Sequence, residues 1–197
     1  ALMNRGYQME DAYDYCIIGC VEPGPAGLLG GRTGGAWLNC TKALEMSLYN
    51  GRDPRTNICL HPNKNEKDLA TFENFEEVKD SYKDQISYYI RMEAILENTI
   101  DQLWEENMNE PMTSVFGGPS TTLVRGKTFK QGGAKYDFTG QQTIGTANIA
   151  NSLYAIKKLV FDDKALTGEQ LKHALETNFK DMDTKPTGPQ IKALCRS

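Results

Sequence analysis

Histidine is nearly missing from this chain, with only His61 and His173 among 197 residues. His61, followed by Pro62, and His173, on a predicted helix near the end, read as surface residues, so acid–base chemistry is sought in carboxylates instead. Basic residues are not in surplus either: 22 Lys and Arg stand against 26 Asp and Glu, for a net charge of −4. That balance leaves no electrostatic footprint for nucleic acid. No apolar run approaches the roughly 18–20 residues of a membrane span, and no signal peptide opens the sequence, so neither a membrane partner nor secretion is expected. Five cysteines, Cys16, Cys20, Cys40, Cys59 and Cys195, form an odd and irregular set. Such a set is not a disulfide framework and points to a reduced, cytoplasmic setting. No internal repeat is found.

What the sequence does have is Gly19-Cys20-Val21-Glu22-Pro23, placed after the apolar Cys16-Ile17-Ile18 and before a glycine-rich stretch. In extended backbone side chains alternate, which would aim Cys20 and Glu22 the same way with Cα atoms roughly 6.5–7 Å apart. A small carbon skeleton fits that gap. Gly19 lets the chain bend before the thiol, and Pro23 biases Glu22 toward extended geometry. Plainer readings stand beside this one. A free cysteine is most often a core thiol, and Glu22 alone would be a solvated loop carboxylate. Zinc on Cys16, Cys20, Cys59 and His61 would lack a second tight cysteine pair. A phosphate loop at Gly24–Gly35 would need Lys where Arg32 stands, and turn chemistry accounts better for those glycines.

The coarse layout predicted is α/β. Cys16–Glu22 reads as a short buried strand and Gly24–Gly35 as connection. Residues 36 to 49 read as a helix with Trp37, Leu44 and Leu48 on one face, closed by Asn50-Gly51. Thr56–Leu60 is a candidate strand. Asn74-x-x-Glu77 resembles a capping box opening a long helix, about 75–104, whose packing stripe runs Phe75, Val78, Tyr82, Ile86, Tyr89, Met92, Leu96, Ile100 and Leu103. A helical C-terminal part, about 146–179, begins near Thr146 with Ile149, Leu153, Ile156 and Val160 on one face; Thr167-x-x-Gln170 caps a further helix ending near Phe179. Asp181–Pro189 reads as a polar stretch.

Four ordered blocks carry a family resemblance. The stretch from Glu10 to Pro23 (EDAYDYCIIGCVEP) resembles the cysteine finger loop, about 16–35 here, of glycyl radical enzymes, pyruvate formate-lyase-like proteins, in their glycerol dehydratase, decarboxylase and lyase branch. Asn39–Gly51 resembles the helix after that loop, Gly132-Gly133-Ala134-Lys135-Tyr136 a later element, and Ser152–Phe161 the helix that follows it. The resemblance implies a partial barrel domain over residues 1–197, from the C-terminal half of the family's α/β barrel. It implies Cys20 as the thiyl residue that takes hydrogen from a small organic substrate, and Glu22 as general base. Thr33 resembles a substrate-contacting threonine of choline-cleaving members. The cofactor implied is a backbone glycyl radical installed by an S-adenosylmethionine iron–sulfur activating enzyme, with no bound metal.

Departures from the family's patterns matter too. The aspartate of a Trp-His-Asp element in diol dehydratases has no counterpart in Gly30-Gly31-Arg32-Thr33-Gly34-Gly35, which argues against simple diol dehydration. Pyruvate formate-lyase has two adjacent cysteines and no following glutamate, so a formate acetyltransferase-like reaction fits less well. The radical motif Arg-Val-x-Gly-aromatic is absent from the sequence. The expectation is therefore a segment of a lyase that is inactive alone and packs against the remaining segments of the same enzyme, in a homo-oligomer. A non-catalytic remnant that binds a radical-bearing partner is the other reading.

Overall fold

The computed structural model describes residues 2–19, 22–32, 34–108, 110, 112, 115 and 122–196. In chain order its main elements are α1 (Met9–Tyr13), β1 (Tyr15–Ile18), β2 (Glu22–Pro25), β3 (Leu29–Gly30), β4 (Trp37–Asn39), α2 (Cys40–Leu48), α3 (Phe75–Asn107), α4 (Thr122–Arg125), β5 (Tyr136–Asp137), β6 (Gln142–Ile144), α5 (Thr146–Ile156), α6 (Gly168–Glu176) and α7 (Gly188–Leu194). The mixed α/β content expected from the sequence is present. The chain divides into two compact units, Ala1–Leu38 with Met92–Gln142, and Asn39–Arg91 with Thr143–Ser197.

In the first unit the segment predicted as a buried strand over Cys16–Glu22 is instead an exposed hairpin. β1 pairs antiparallel with β2 in the register Ile18↔Glu22, so the chain reverses between those two residues. Tyr15, Cys16 and Ile17 are exposed. The extended run stops at Ile18 because Gly19 takes a φ of +63°, a left-handed turn conformation open to glycine. The supposed connection that follows contains β3, which pairs parallel with β5 as Leu29↔Tyr136 and Gly30↔Asp137. Gly24 lies under two apolar side chains: a Cβ there would sit 2.5 Å from Leu29 Cδ2 and 2.9 Å from Ile18 Cδ1.

The second unit holds the larger apolar core, with Leu44, Met46, Leu48, Leu69, Val78, Ile149, Ile156, Leu171 and Ile191 all buried. Its first helix starts later than predicted. Asn39 Oδ1 accepts from the Lys42 amide at 3.0 Å, which makes Asn39 the N-cap and leaves Trp37 in strand β4 with 69% of its surface exposed. Thr56–Leu60 is not a strand; the only ladder contact described there is the isolated bridge Arg52↔Cys59. At the start of α3 the Glu77 amide donates to Asn74 Oδ1 at 3.0 Å, while the Glu77 carboxylate turns back to the Glu73 amide at 2.9 Å. After Ile156 the backbone widens into a π-helical turn, Lys157–Asp162, which brings Leu159 rather than Val160 fully into the core. α6 begins at the predicted capping box but stops at Glu176, because Asn178 and Phe179 take left-handed φ of 50° and 57°. The stretch expected to be polar connection runs into α7, which opens on a capping box of Thr187 with Gln190.

α3 corrects the predicted stripe most. Val78 is buried as expected, yet Met92, Leu96 and Leu103 are exposed, and the residues taken inside at that level are Glu93 and Glu97. For Glu97 the reason is a cation, since Arg32 forms an ion pair with it; Glu93 has no such partner among the described residues, and burial pushes its carboxyl up.

A polar knot closes the loop between α2 and α3. The Asn63 side chain, 1% exposed, donates to Ser47 O and to Lys67 O, each at 2.7 Å, and accepts from Gln85 Nε2 at 3.1 Å. Its own amide is held by Asn50 Oδ1 at 2.9 Å. Replacing Asn63 with Ala would take the partner from the Ser47 and Lys67 carbonyls and leave Gln85 Nε2 with His61 O alone, which predicts a loss of about 3 kcal/mol in urea unfolding of the intact protein. A loss below about 1 kcal/mol would show that the knot contributes little.

Candidate active site

Glu22 opens β2, directly after the hairpin reversal. Gln142 Nε2 donates to Glu22 Oε1 at 2.7 Å, and the other oxygen lies against Gly19, where a Cβ would sit 2.9 Å from Oε2. Any side chain at position 19 would crowd the carboxylate. Cys20 and Thr33, the other site residues expected from the sequence, lie outside the described residues.

The root of the hairpin is tied down by charge. Asp11, on α1, accepts from Tyr136 Oη at 2.5 Å and pairs with Lys135 Nζ at 2.5 Å. Lys135 also reaches Gln8 Oε1 at 2.6 Å, and the Gln8 amide donates to Tyr136 Oη at 2.9 Å. Lys135, then Tyr136, hold the Asp11 carboxyl below the ordinary aspartate range. Tyr7 packs on Tyr136 with ring centroids 4.6 Å apart. Two of the four sequence blocks thus meet here, the one beginning Glu10-Asp11 and the one ending Lys135-Tyr136. A buried Asp in one block and a Lys in the other gave a signal that could have been read as a pair.

A second anchor lies on α3. Arg32 Nε donates to Asp101 Oδ1 at 2.8 Å and Arg32 Nη2 to Glu97 O at 3.2 Å, while Thr139 Oγ1 donates to Asp101 Oδ2 at 2.5 Å. Burial pushes the Asp101 carboxyl up, but the bonds from Arg32 and Thr139 outweigh it and hold it below its usual range. Arg32 and Lys130 both lie over the Trp104 ring, 4.9 Å and 4.0 Å from its centre. Together these groups line a cleft of about 570 Å³. From the tethered residues a backbone ladder runs on: Gly140 N to Arg32 O at 2.7 Å, Gly35 N to Gly140 O at 2.8 Å, and Gln142 N to Ala36 O at 2.9 Å. Asp101 therefore fixes the two backbone segments that deliver Gln142 to Glu22.

Among the described residues no three His, Cys, Asp or Glu side chains gather as metal ligands, and no helix is long and apolar enough to cross a membrane. His61 is paired with Asp84 at 3.0 Å and stacked on Tyr88; His173 is paired with Asp181 at 2.6 Å.

The family profile described as pyruvate formate lyase-like matches residues 1–196. The chain belongs to that family. It is 37% identical over 175 residues to the probable dehydratase YbiW of Escherichia coli K12, covering 88% of this chain and 21% of that protein. It is 35% identical over 178 residues to the (2S)-3-sulfopropanediol dehydratase of Klebsiella oxytoca, covering 90% of this chain and 21% of that one. The solved structure describing 1,2-propanediol dehydration in Roseburia inulinivorans superposes with a TM-score of 0.86 at 35% identity, over 98% of this chain and 23% of that chain. The chain thus spans about a fifth of the length of the curated relatives it matches, and its fold is part of the glycyl radical enzyme α/β barrel. The wider set of relatives comprises glycyl radical dehydratases, lyases and decarboxylases.

The Asp101 anchor has a pH signature. Its folded carboxyl titrates below the unfolded value of about 3.9, so its contribution to stability is complete above that value and is lost as pH falls through the folded value. Asp101→Asn should lower the urea midpoint of the intact protein at pH 7, and the gap from the native protein should narrow only below about pH 4. A gap that stays constant from pH 7 to pH 3 would contradict the assignment.

Proposed function

We propose that this chain carries the thiol and the base of a glycyl radical lyase of the dehydratase or decarboxylase type. Support comes chiefly from one observation: in a chain of this family, Glu22 stands two residues after Cys20 with its carboxylate held by an amide rather than left to swing in solvent. The family's cofactor would be a glycyl radical on a residue outside this sequence, installed by an S-adenosylmethionine-dependent activating enzyme, and it would supply an acceptor for the hydrogen atom of the Cys20 thiol. Cys20 then takes a hydrogen atom from a substrate carbon, forming S–H and leaving the unpaired electron on that carbon. Glu22 removes the proton of the hydroxyl on the same carbon. The charge released weakens the bond to the leaving group on the next carbon, and that group departs with its electron pair, taking the proton held by Glu22. Return of the hydrogen atom from Cys20 to the product radical regenerates the thiyl, so atoms and electrons balance.

Glu22 suits this step as the ionised acceptor, since an amide donor favours the carboxylate form. Thr33, next to the anchored Arg32, is proposed as a substrate contact. The remainder of the barrel is proposed to cover the exposed apolar row Met92, Ile95, Leu96 and Leu103 on α3, a row a monomer would not leave to water. This covering joins residues 1–197 into one partial barrel domain with the other segments of a cytoplasmic, homo-oligomeric enzyme.

The test uses the full-length protein, activated without oxygen and offered a panel that goes beyond diols: (2S)-3-sulfopropanediol, trans-4-hydroxy-L-proline, isethionate and 4-hydroxyphenylacetate, the compounds named for its relatives. Cys20→Ser should abolish turnover while assembly is unchanged. Glu22→Gln should still exchange hydrogen with a carbon-deuterated substrate but lose completed elimination by about 10²–10⁴-fold. Product formation by Cys20→Ser at the native rate would sink the thiyl assignment and favour the non-catalytic remnant.

A further inference from the structure

We propose that Gln142 is the positioning residue of the Glu22 base: its amide fixes the carboxylate's orientation and holds it in the ionised form. The inference rests on the base role given above to Glu22 and adds the group that sets it. Gln142 Nε2 lies 2.7 Å from Glu22 Oε1, and only the donor end of an amide can face an ionised carboxylate, which fixes which way the amide is turned. A hydrogen bond to the charged form favours that form.

Three features make this a built contact rather than a chance meeting of two flexible side chains. Gln142 is half-buried at the first position of β6, and its own amide is tied to Ala36 O at 2.9 Å. The ladder that holds it runs back through Gly140 and Gly35 to Arg32, and both Arg32 and Thr139 are fastened to Asp101. Glu22 is also confined on its other side, because Gly19 leaves just enough room for Oε2. The carboxylate is thus seated between a hairpin glycine and an amide that reaches it from 120 residues away in sequence. No charged side chain is needed at the second point. A lysine there would hold the proton acceptor too firmly ionised to take a proton, whereas a neutral amide fixes geometry and leaves the group able to protonate.

The experiment is an infrared pH titration of the intact, unactivated enzyme, which needs no substrate. The carbonyl band of protonated Glu22 is isolated by subtracting the spectra of Glu22→Gln. Gln142→Met keeps the side-chain volume but removes the donor, and should move the Glu22 midpoint up by about one pH unit. Gln142→Glu keeps the shape and adds a like charge, and should move it further in the same direction. In activated enzyme turning over a substrate from the set above, Gln142→Met should move the acid limb of the pH–rate profile up by the same amount and lower kcat more than it changes KM. An unchanged midpoint in both variants overturns the pairing. A midpoint that moves while Glu22→Gln retains native turnover leaves the pairing standing and sinks the base role, so the two claims fail separately.

Discussion

Asp101 accepts a hydrogen bond through each of its oxygens, from Arg32 on one and Thr139 on the other, and the placing of Gln142 follows from that carboxylate. The two residues begin backbone segments that pair with each other and end at Gln142, whose amide holds Glu22. A side-chain position in the site is thereby set by a helix surface more than two turns long. The same dependence explains why α3 turns Glu97 inward at a level where leucine and methionine remain outside. Burying an acid is costly unless it is paired, and here Arg32 meets both Glu97 and Asp101.

The two units are stabilised in different ways. The second has an apolar centre in which α2, α5, α6 and α7 contribute aliphatic side chains, with the Asn63 knot tying the long loop beneath them. The first has a thin apolar centre, Tyr7 and Ala134 with Gly30 close against Ala134, and leans on ion pairs and charge-assisted bonds instead. Polar bonds of that kind are directional, which suits a region that must hold a carboxylate at a fixed angle. The exposed apolar row on α3 belongs to the same picture, as the surface proposed above to be covered by further segments of the enzyme.

Much of the architecture was legible in the sequence. Local signals carried it: Asn74 and Thr167 started helices where they stand, and Asn50-Gly51 closed α2 with left-handed φ at both residues. What could not be read were features decided by distant partners. Periodicity placed Met92, Leu96 and Leu103 on a packing face, and only the Arg32 pairing reverses that. Trp37 fitted a helical spacing but falls before the Asn39 cap. The hairpin at Ile18↔Glu22 was hidden because a strand and a strand that reverses at glycine share one apolar pattern. At the site, Glu22 stood out by its place beside Cys20, while nothing marks Gln142, Thr139 or Asp101 among the many polar residues of the chain.

The account turns on whether the Cys20 thiol and the Glu22 carboxylate address one substrate. A crystal structure of the intact, unactivated enzyme measures this most directly. The expected result is Cys20 Sγ and Glu22 Oε2 open to the same enclosed cavity, with Gln142 bonded to Oε1. A Cys20 side chain packed into a core away from that cavity, or a Glu22 turned out of it, would contradict the account.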